Sequence, residues 1–363
     1  MPSLFPTLRV SALLTLLALA AREGRAQAVL GPTEDATVAP AGAIRFRIGN
    51  SWTNYYQTLG GPDTIANTFN QVRLTNISAE FGIMPRLSAT IIVPEAGTLA
   101  TTEWSSLNGS VLRVDSAVTS SHNGIGDVEF AAKFSWLAGP SELERIALAP
   151  GLHIRSSVAA SYRFTSGTPP DPNDQFGVAT GSGRTAVSAA SQTDFMIGRV
   201  FWLSAVGRYV WPGAVTRDVR VYGPINTGYT LSEVNETGGN LYSLEATPRV
   251  VLGRYFSVGA QYAYVHRDAS TYTATGPDTL NVAALGAKTA GTAQYLSGTF
   301  TYSTVAGYIQ GKNGLPLEIS YTHTALLSAT GAFPPQGTPT DAVTIRFWAR
   351  LWGAAWKWKR VKP

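Results

Sequence analysis

The side chains that could carry covalent or metal chemistry are few. The chain has no cysteine and four histidines, which removes disulfides, thiolate metal sites and cysteine nucleophiles. A serine hydrolase needs Ser, His and an orienting polar group on one wall. His323, in Tyr321-Thr322-His323-Thr324, has Ser320 and Ser328 near it in sequence, but alternation places it with Ile319 and Tyr321, at an interfacial position. His153 lies beside Arg155 and near Ser157, which suits a wall histidine better than a base. His122 and His266 lie in no catalytic pattern. The loop carboxylates Asp171, Asp174, Glu233 and Glu236 do not follow calcium-loop spacing, and 169–174 reads as a rigid polar loop. No phosphate-binding glycine loop precedes a helix. No catalytic residue, cofactor or metal is assigned, and the chain is not read as an enzyme.

The chemistry left is that of charged side chains spaced along alternating segments. Period-two alternation dominates after residue 28, and helical periodicity is scarce. In 127–136, Val128, Phe130, Ala132, Phe134 and Trp136 oppose Asp127, Glu129, Lys133 and Ser135. In 144–164, read as one long strand, Ile146, Leu148, Leu152, Ile154, Val158, Tyr162 and Phe164 oppose His153, Arg155, Ser157, Ser161 and Arg163.

Twelve such segments are present: 44–56, 71–84, 86–94, 124–138, 144–164, 184–197, 200–212, 240–252, 254–266, 292–305, 315–326 and 342–355. Most reach the roughly 9–11 residues that a tilted membrane strand needs. Tight turns are expected at Met84-Pro85-Arg86, Gly139-Pro140-Ser141, Gly198-Arg199 and Gly253-Arg254, with a somewhat longer link at 306–314. Between them lie long connections at 57–70, 95–123, 165–183, 213–239, 267–291 and 327–341, rich in Gly, Pro, Thr, Asn and Asp. Outer-membrane barrels alternate short periplasmic turns with long outer loops in this way. A soluble sandwich has no reason to do so, and its strands usually stop at about 5–6 residues.

Composition agrees. Of 363 residues, 14% are charged and 44% apolar, against roughly 25% charged in an average soluble domain. That excludes a disordered chain, a coiled coil and a basic nucleic-acid surface. Arg9, the apolar run from Val10 to Ala21, and Ala26-Gln27-Ala28 form a secretory signal peptide with its cleavage site. Cleavage removes Arg9, Arg22, Glu23 and Arg25 and lowers the net charge from +5 to +3. The expected organisation is a signal peptide at 1–28, a periplasmic N-terminal segment at 29–43, one barrel at 44–356 and a basic periplasmic tail at 357–363.

In a membrane barrel the apolar face meets lipid and the polar face lines the lumen. The inward set is Arg45, Arg47, Glu80, Asp127, Glu129, Lys133, His153, Arg155, Arg163, Asp194, Arg208, Glu245, Arg249, Glu318, Arg346 and Arg350. Without His153 these are nine positive and six negative positions. Two readings stay open: separated charge rows that act on passing solutes, and salt bridges across the lumen that satisfy one another. Trp136, Trp202, Trp211, Tyr255 and Tyr302 fall near strand ends, where interface girdles belong, and Trp348, Trp352, Trp356 and Trp358 crowd the C-terminus. The girdle and lipid-facing surface is the simpler reading of these aromatics; a platform in the pore is the other.

The run Gly124-Ile125-Gly126-Asp127-Val128-Glu129-Phe130-Ala131-Ala132-Lys133-Phe134 resembles a strand of the outer-membrane proteins associated with meta-pathway phenol degradation. Residues 146–167 look like that family's next strand, although its Pro-Thr-Gly loop start reads Thr165-Ser166-Gly167 here, and Gly181-Ser182-Gly183 is similar to its small-residue run. The likeness covers about 124–213. It implies a barrel channel or transporter for small compounds, hydrophobic or aromatic ones included. For Asp127, a loop-capping hydrogen bond is the plainer alternative to a place at the lumen mouth.

The expected fold is therefore an all-β, transmembrane, antiparallel up-and-down barrel of about twelve strands. The expected function is passive passage of small solutes through a charge-lined lumen, with connections 95–123, 165–183, 213–239 and 267–291 as gates. The expected partners are outer-membrane lipid, a small-molecule solute and the outer-membrane assembly machinery, with no nucleic acid. The chain ends Trp356-Lys357-Trp358-Lys359-Arg360-Val361-Lys362-Pro363, which makes the assembly signal internal or atypical. A barrel hydrolase is one alternative, although the His-x-Ser-Asn-Gly pattern of outer-membrane phospholipases is missing. A loop-mediated adhesin or structural barrel is the other.

Overall fold

The computed structural model describes residues 35–60, 64–108, 111–137, 146–149, 151–169, 171, 179–198, 200–222, 229–253, 255–275, 282–305, 315–331 and 340–350. In chain order the strands are β1 (Ala43–Gly60), β2 (Thr64–Met84), β3 (Leu87–Asn108), β4 (Val111–Ile125), β5 (Glu129–Leu137), β6 (Ile146–Ala149), β7 (Leu152–Arg163), β8 (Ala186–Ile197) and β9 (Phe201–Pro212). They continue with β10 (Ala214–Tyr222), β11 (Tyr229–Thr237), β12 (Leu241–Leu252), β13 (Phe256–Arg267), β14 (Thr271–Ala274), β15 (Gly291–Ser303), β16 (Leu317–Ala329) and β17 (Thr340–Arg350). A short 3-10 helix, Val282–Lys288, precedes β15.

Twelve of these strands form one closed barrel. The order is β2-β1-β17-β16-β15-β13-β12-β9-β8-β7-β5-β3, and the β2–β3 ladder completes the ring. Every ladder is antiparallel, and β1 pairs with β17 to seal first strand to last. Closure leaves no open edge, which is the only way a sheet can satisfy its backbone in hydrocarbon.

Side-chain burial identifies which face meets lipid. Phe130, Phe134, Trp136, Val158, Tyr162, Val187, Leu244, Phe256, Phe300 and Ile345 are exposed on the outside. Ser88, Lys133, Ser135, Ser157, Gln192, Asp194 and Ser243 face inward with almost no exposure. Along β5 the two sets alternate residue by residue. Apolar outside and polar inside is the reverse of a soluble protein, and it marks a transmembrane β-barrel.

Two expectations are corrected. Residues 144–164 are not one strand. Ile146 pairs with Ile154 across a hairpin, and the chain reverses near Gly151, whose φ is +78°. Ile146 and Leu148 therefore belong to β6, outside the continuous face of β7. Period two runs through such a reversal without a break, so alternation alone could not reveal it. The turn expected at Gly139-Pro140-Ser141 and the link at 306–314 lie outside the described residues.

The second correction concerns the long connections, several of which are ordered β-structure. The β2–β3 ladder continues to Thr64 and Ser106, and β4 folds back on β3, so much of 57–70 and 95–123 raises the wall above the other strands. Within 213–239 and 267–291, β10, β11 and β14 form a separate three-stranded sheet. Gly and Thr content suggested irregular loops; the long hairpin pairings override it.

Candidate functional site

The inward charges are arranged by register. Arg45 lies directly opposite Glu80, Arg155 opposite Asp194, Glu129 opposite Arg163, and Glu318 opposite Arg346. Each couple forms an ion pair. Arg155 Nε meets Asp194 Oδ2 at 2.6 Å, Arg45 Nε meets Glu80 Oε2 at 2.7 Å, Arg346 Nη1 meets Glu318 Oε1 at 3.0 Å, and Arg163 Nη2 meets Glu129 Oε2 at 3.6 Å. The pairing runs between neighbouring strands along the wall, not across the lumen. Arg155 and Asp194 are almost fully buried, and the guanidinium also sits 5.3 Å from the Trp202 ring centroid. Ser204 Oγ donates to the second Asp194 oxygen at 2.7 Å.

Most of these pairs lie toward the end of the barrel that carries the short turns. Arg45 opens β1, Arg155 opens β7, Glu318 opens β16, and Glu80, Asp194 and Arg346 precede the ends of β2, β8 and β17. There the wall meets a second layer. Residues 36–40 are buried against the inward face, although 29–43 reads in the sequence as a segment outside the barrel.

Three contacts fix that segment. Ala36 N donates to Asp194 Oδ2 at 3.2 Å, Ala39 N donates to Glu80 Oε1 at 3.0 Å, and Arg45 Nη1 donates to Thr37 Oγ1 at 2.7 Å. Ser88 Oγ donates to the same Glu80 oxygen at 2.6 Å. Gly82 supplies the room: a Cβ there would collide with the Ala39 and Pro40 carbonyls.

Asp35 is the hub. Its carboxylate lies 3.5 Å from Arg45 Nη1, 3.7 Å from Lys133 Nζ and 3.4 Å from Arg346 Nη1. Lys133 Nζ also donates to the Asp35 carbonyl at 2.5 Å. Asp35 was not among the residues singled out from the sequence. The excess of inward cations over anions was the available signal, since buried charges need partners. Beside Asp35 is a cavity of about 10 Å³ lined by Asp35, Arg45, Arg47, Ser78, Glu80, Thr90 and Arg346, enough for about one water.

The other inward residues are distributed along the wall. Arg208 and Glu245 are buried, with Glu245 Oε2 accepting from Gln261 Nε2 at 2.6 Å. Arg47, His153 and Arg249 are half-buried. The side chain of Arg350 lies outside the described residues, and its backbone pairs with Ala43. Asp127 departs from the set. It precedes β5, it is buried, and it accepts from Gly167 N at 3.1 Å and from Ser182 N and Oγ at 2.7 Å each. Its carboxylate clamps the connection between β7 and β8, which is the capping role.

The aromatic residues divide. Trp136 and Trp211 are exposed on the outer face, and Tyr209 stacks on Tyr242, which stacks on His266. Tyr255 and Tyr302 pair at 6.1 Å. Two expected girdle residues point inward instead: Trp202 under Arg155, and Trp348, buried against Val305 and opposite Arg45. Trp352, Trp356 and Trp358 lie outside the described residues. At the other end of the lumen, Ala186, Val210, Leu241, Ala263, Val265, Ala293 and Tyr295 form an apolar cluster on one wall.

Two further polar clusters lie away from this centre. Glu236 on β11 is held by Arg184 Nη2 at 2.6 Å, Arg217 Nη2 at 2.5 Å and Tyr272 Oη at 2.9 Å, which ties the small sheet to the start of β8. Burial pushes the Glu236 carboxyl up, but the Arg184 hydrogen bond and the charges of Arg184 and Arg217 hold it below the usual glutamate range. On the outer surface, His323 Nδ1 lies 2.8 Å from Asp341 Oδ1, which also bonds Tyr321 Oη. Among the described residues no serine hydroxyl bonds His323, so the hydrolase arrangement is incomplete there.

No family model matches the chain, and no curated protein matches its sequence. Among solved structures it is similar to the COG4313 outer membrane channel from Pseudomonas putida F1, at 11% identity and a TM-score of 0.47 over 88% of this chain and all of that one. It is also similar to the transport unit of the autotransporter AIDA-I from Escherichia coli, at 10% identity and 0.39 over 88% and 93%. A third is the CymD monoaromatic hydrocarbon channel, at 11% identity and 0.32 over 86% and 89% of the two chains.

Proposed function

We propose that this chain is an outer-membrane channel that passes small solutes passively through a narrow, charge-lined lumen. The observation that carries the reading is the inverted barrel: an apolar outer face encloses a polar interior with buried, in-register ion pairs. Twelve strands also enclose more room than the roughly eight whose interior side chains alone can fill. The short-turn end then faces the periplasm, and the β3–β4 hairpin with the small sheet faces outward. Residues 35–42 narrow the lumen at the periplasmic end. Small hydrophobic or aromatic compounds are the solutes the resemblance suggests, and the apolar cluster around Val265 and Tyr295 offers them a matching inner surface near the outer mouth.

The test is planar-bilayer conductance of the detergent-folded protein, with reversal potentials in a salt gradient. Discrete steps with modest selectivity are expected. Silence from a folded barrel would overturn passive passage and favour loop-mediated binding.

A further inference from the structure

We propose that Arg45, Lys133 and Arg346 form a carboxylate-binding site in the lumen, that Asp35 occupies it as a built-in ligand, and that small monocarboxylate solutes compete for it and release residues 35–42. The proposal rests on the channel reading for its purpose but not for its chemistry.

Three cations from three strands converge on one carboxylate, at 3.5, 3.7 and 3.4 Å. These separations are longer than the roughly 2.7–2.9 Å of a well-formed charge-assisted hydrogen bond. The neighbouring pair Arg155–Asp194 is tighter still, at 2.6 Å. On the three cations the Asp35 carboxylate is therefore held by charge more than by fitted geometry; its close hydrogen bonds come from its own segment, from Thr37 N at 3.0 Å and from Thr37 Oγ1. It is also the most accessible acid of the cluster: its side chain is 23% exposed, against 5% for Glu80 and 1% for Asp194. The water-sized cavity it lines beside Arg45, Arg47 and Arg346 leaves the packing around its carboxylate incomplete.

The charge balance shows what must replace it. If Asp35 leaves, Arg45 keeps Glu80 and Arg346 keeps Glu318. Lys133 keeps no carboxylate on a flanking strand, because its cross-strand neighbours are Ser88 and Ala159. Glu80 and Asp194 still act on it from beyond ion-pair distance, but a buried ammonium without a close carboxylate is costly, so release of the segment calls for a substitute anion at Lys133. A tethered Asp35 competes at an effective concentration of millimolar order, and a free acid must match it. The site would thus respond to abundant carboxylate solute and ignore traces.

The absence of cysteine from the chain makes the test direct. Val38 is 3% exposed and Ala39 2%. In single-cysteine variants Val38→Cys and Ala39→Cys, a neutral maleimide reports whether the segment is docked. The folded barrel, verified by heat-modifiable mobility, is labelled in about 50 mM sodium benzoate, above the tethered ligand's effective concentration, and in sodium chloride of equal ionic strength. Labelling about tenfold faster in benzoate is expected, together with fast, benzoate-independent labelling once Asp35→Asn is added. Equal rates in benzoate and chloride for both cysteine variants would overturn the site. So would equal acceleration by benzyl alcohol, which lacks the carboxylate. The two readings fail separately: carboxylate-dependent labelling of a barrel silent in bilayers removes the channel and leaves the site, whereas a conducting barrel with carboxylate-blind labelling does the reverse.

Discussion

Lys133 on β5 finds its carboxylate on Asp35, almost a hundred residues earlier in the chain and on no barrel strand. The flanking strands place Ser88 and Ala159 opposite it, neither of which bears a charge. Replacing Lys133 by Gln should therefore loosen the N-terminal segment while leaving every barrel ladder intact. The expected outcome is a single-channel conductance several-fold above wild type, with unchanged heat-modifiable mobility. Conductance equal to wild type would mean that the segment is held without this pair.

Gly82→Val acts from the other side of the same contact. The new side chain would occupy the space of the Ala39 and Pro40 carbonyls. The segment must move, since backbone cannot yield as a flexible side chain does. Limited proteolysis within 35–42 should become faster than in wild type, and cleavage elsewhere should not change.

Arg155→Glu should impair assembly before it alters selectivity. From sequence alone such a change looks like a pure test of pore charge. In the structure the new carboxylate would face Asp194, which is 1% exposed, and abandon the Trp202 ring. Breaking a buried pair costs about 3–5 kcal/mol, and here a like charge is added. Folding yield in detergent should fall sharply, and Arg155→Met should fold better than Arg155→Glu.

Asp127→Ala should free the connection between β7 and β8. Three donors, Gly167 N, Ser182 N and Ser182 Oγ, lose one acceptor. Hydrogen bonds to a charged group contribute about 1.5–3 kcal/mol each. The loss is local, so protease sensitivity near 165–183 should rise while barrel mobility on gels stays unchanged.

The small outer sheet should show a defined acid response. The Glu236 carboxyl is held below its ordinary range when docked against Arg184 and Arg217. A depressed acid contributes stability that is fully present above its unfolded pKa and is lost as pH falls through the folded one. Amide protection factors in β10 and β11, corrected for intrinsic exchange at each pH, should therefore be flat from neutral pH down to the ordinary glutamate range and fall only below it. Glu236→Gln should remove that dependence and raise exchange at neutral pH.

The barrel was legible from the sequence because its two signals are local. Alternation identifies a strand and its faces, and Pro85, Gly198 and Gly253 punctuate the short turns. All twelve wall strands overlap the segments that periodicity picks out. That Arg155 and Asp194 each lie on the polar face of a strand was legible for the same reason, but not their pairing, since they meet only once the β7–β8 register is fixed. The inward turn of Trp202 and Trp348 escaped because aromatic residues near strand ends suit either face. Asp35 escaped for a different reason: it belongs to no periodic segment, and its partners come from β1, β5 and β17.

That distribution of partners gives the segment a place in time. The in-register pairs can form hairpin by hairpin, as each strand joins its neighbour. Asp35 cannot meet Arg45, Lys133 and Arg346 together until the seam between β1 and β17 has closed and brought the last strand beside the first. Docking of residues 35–42 is thus a record of completed closure, and in an unfinished barrel Lys133 still lacks the carboxylate that Asp35 brings.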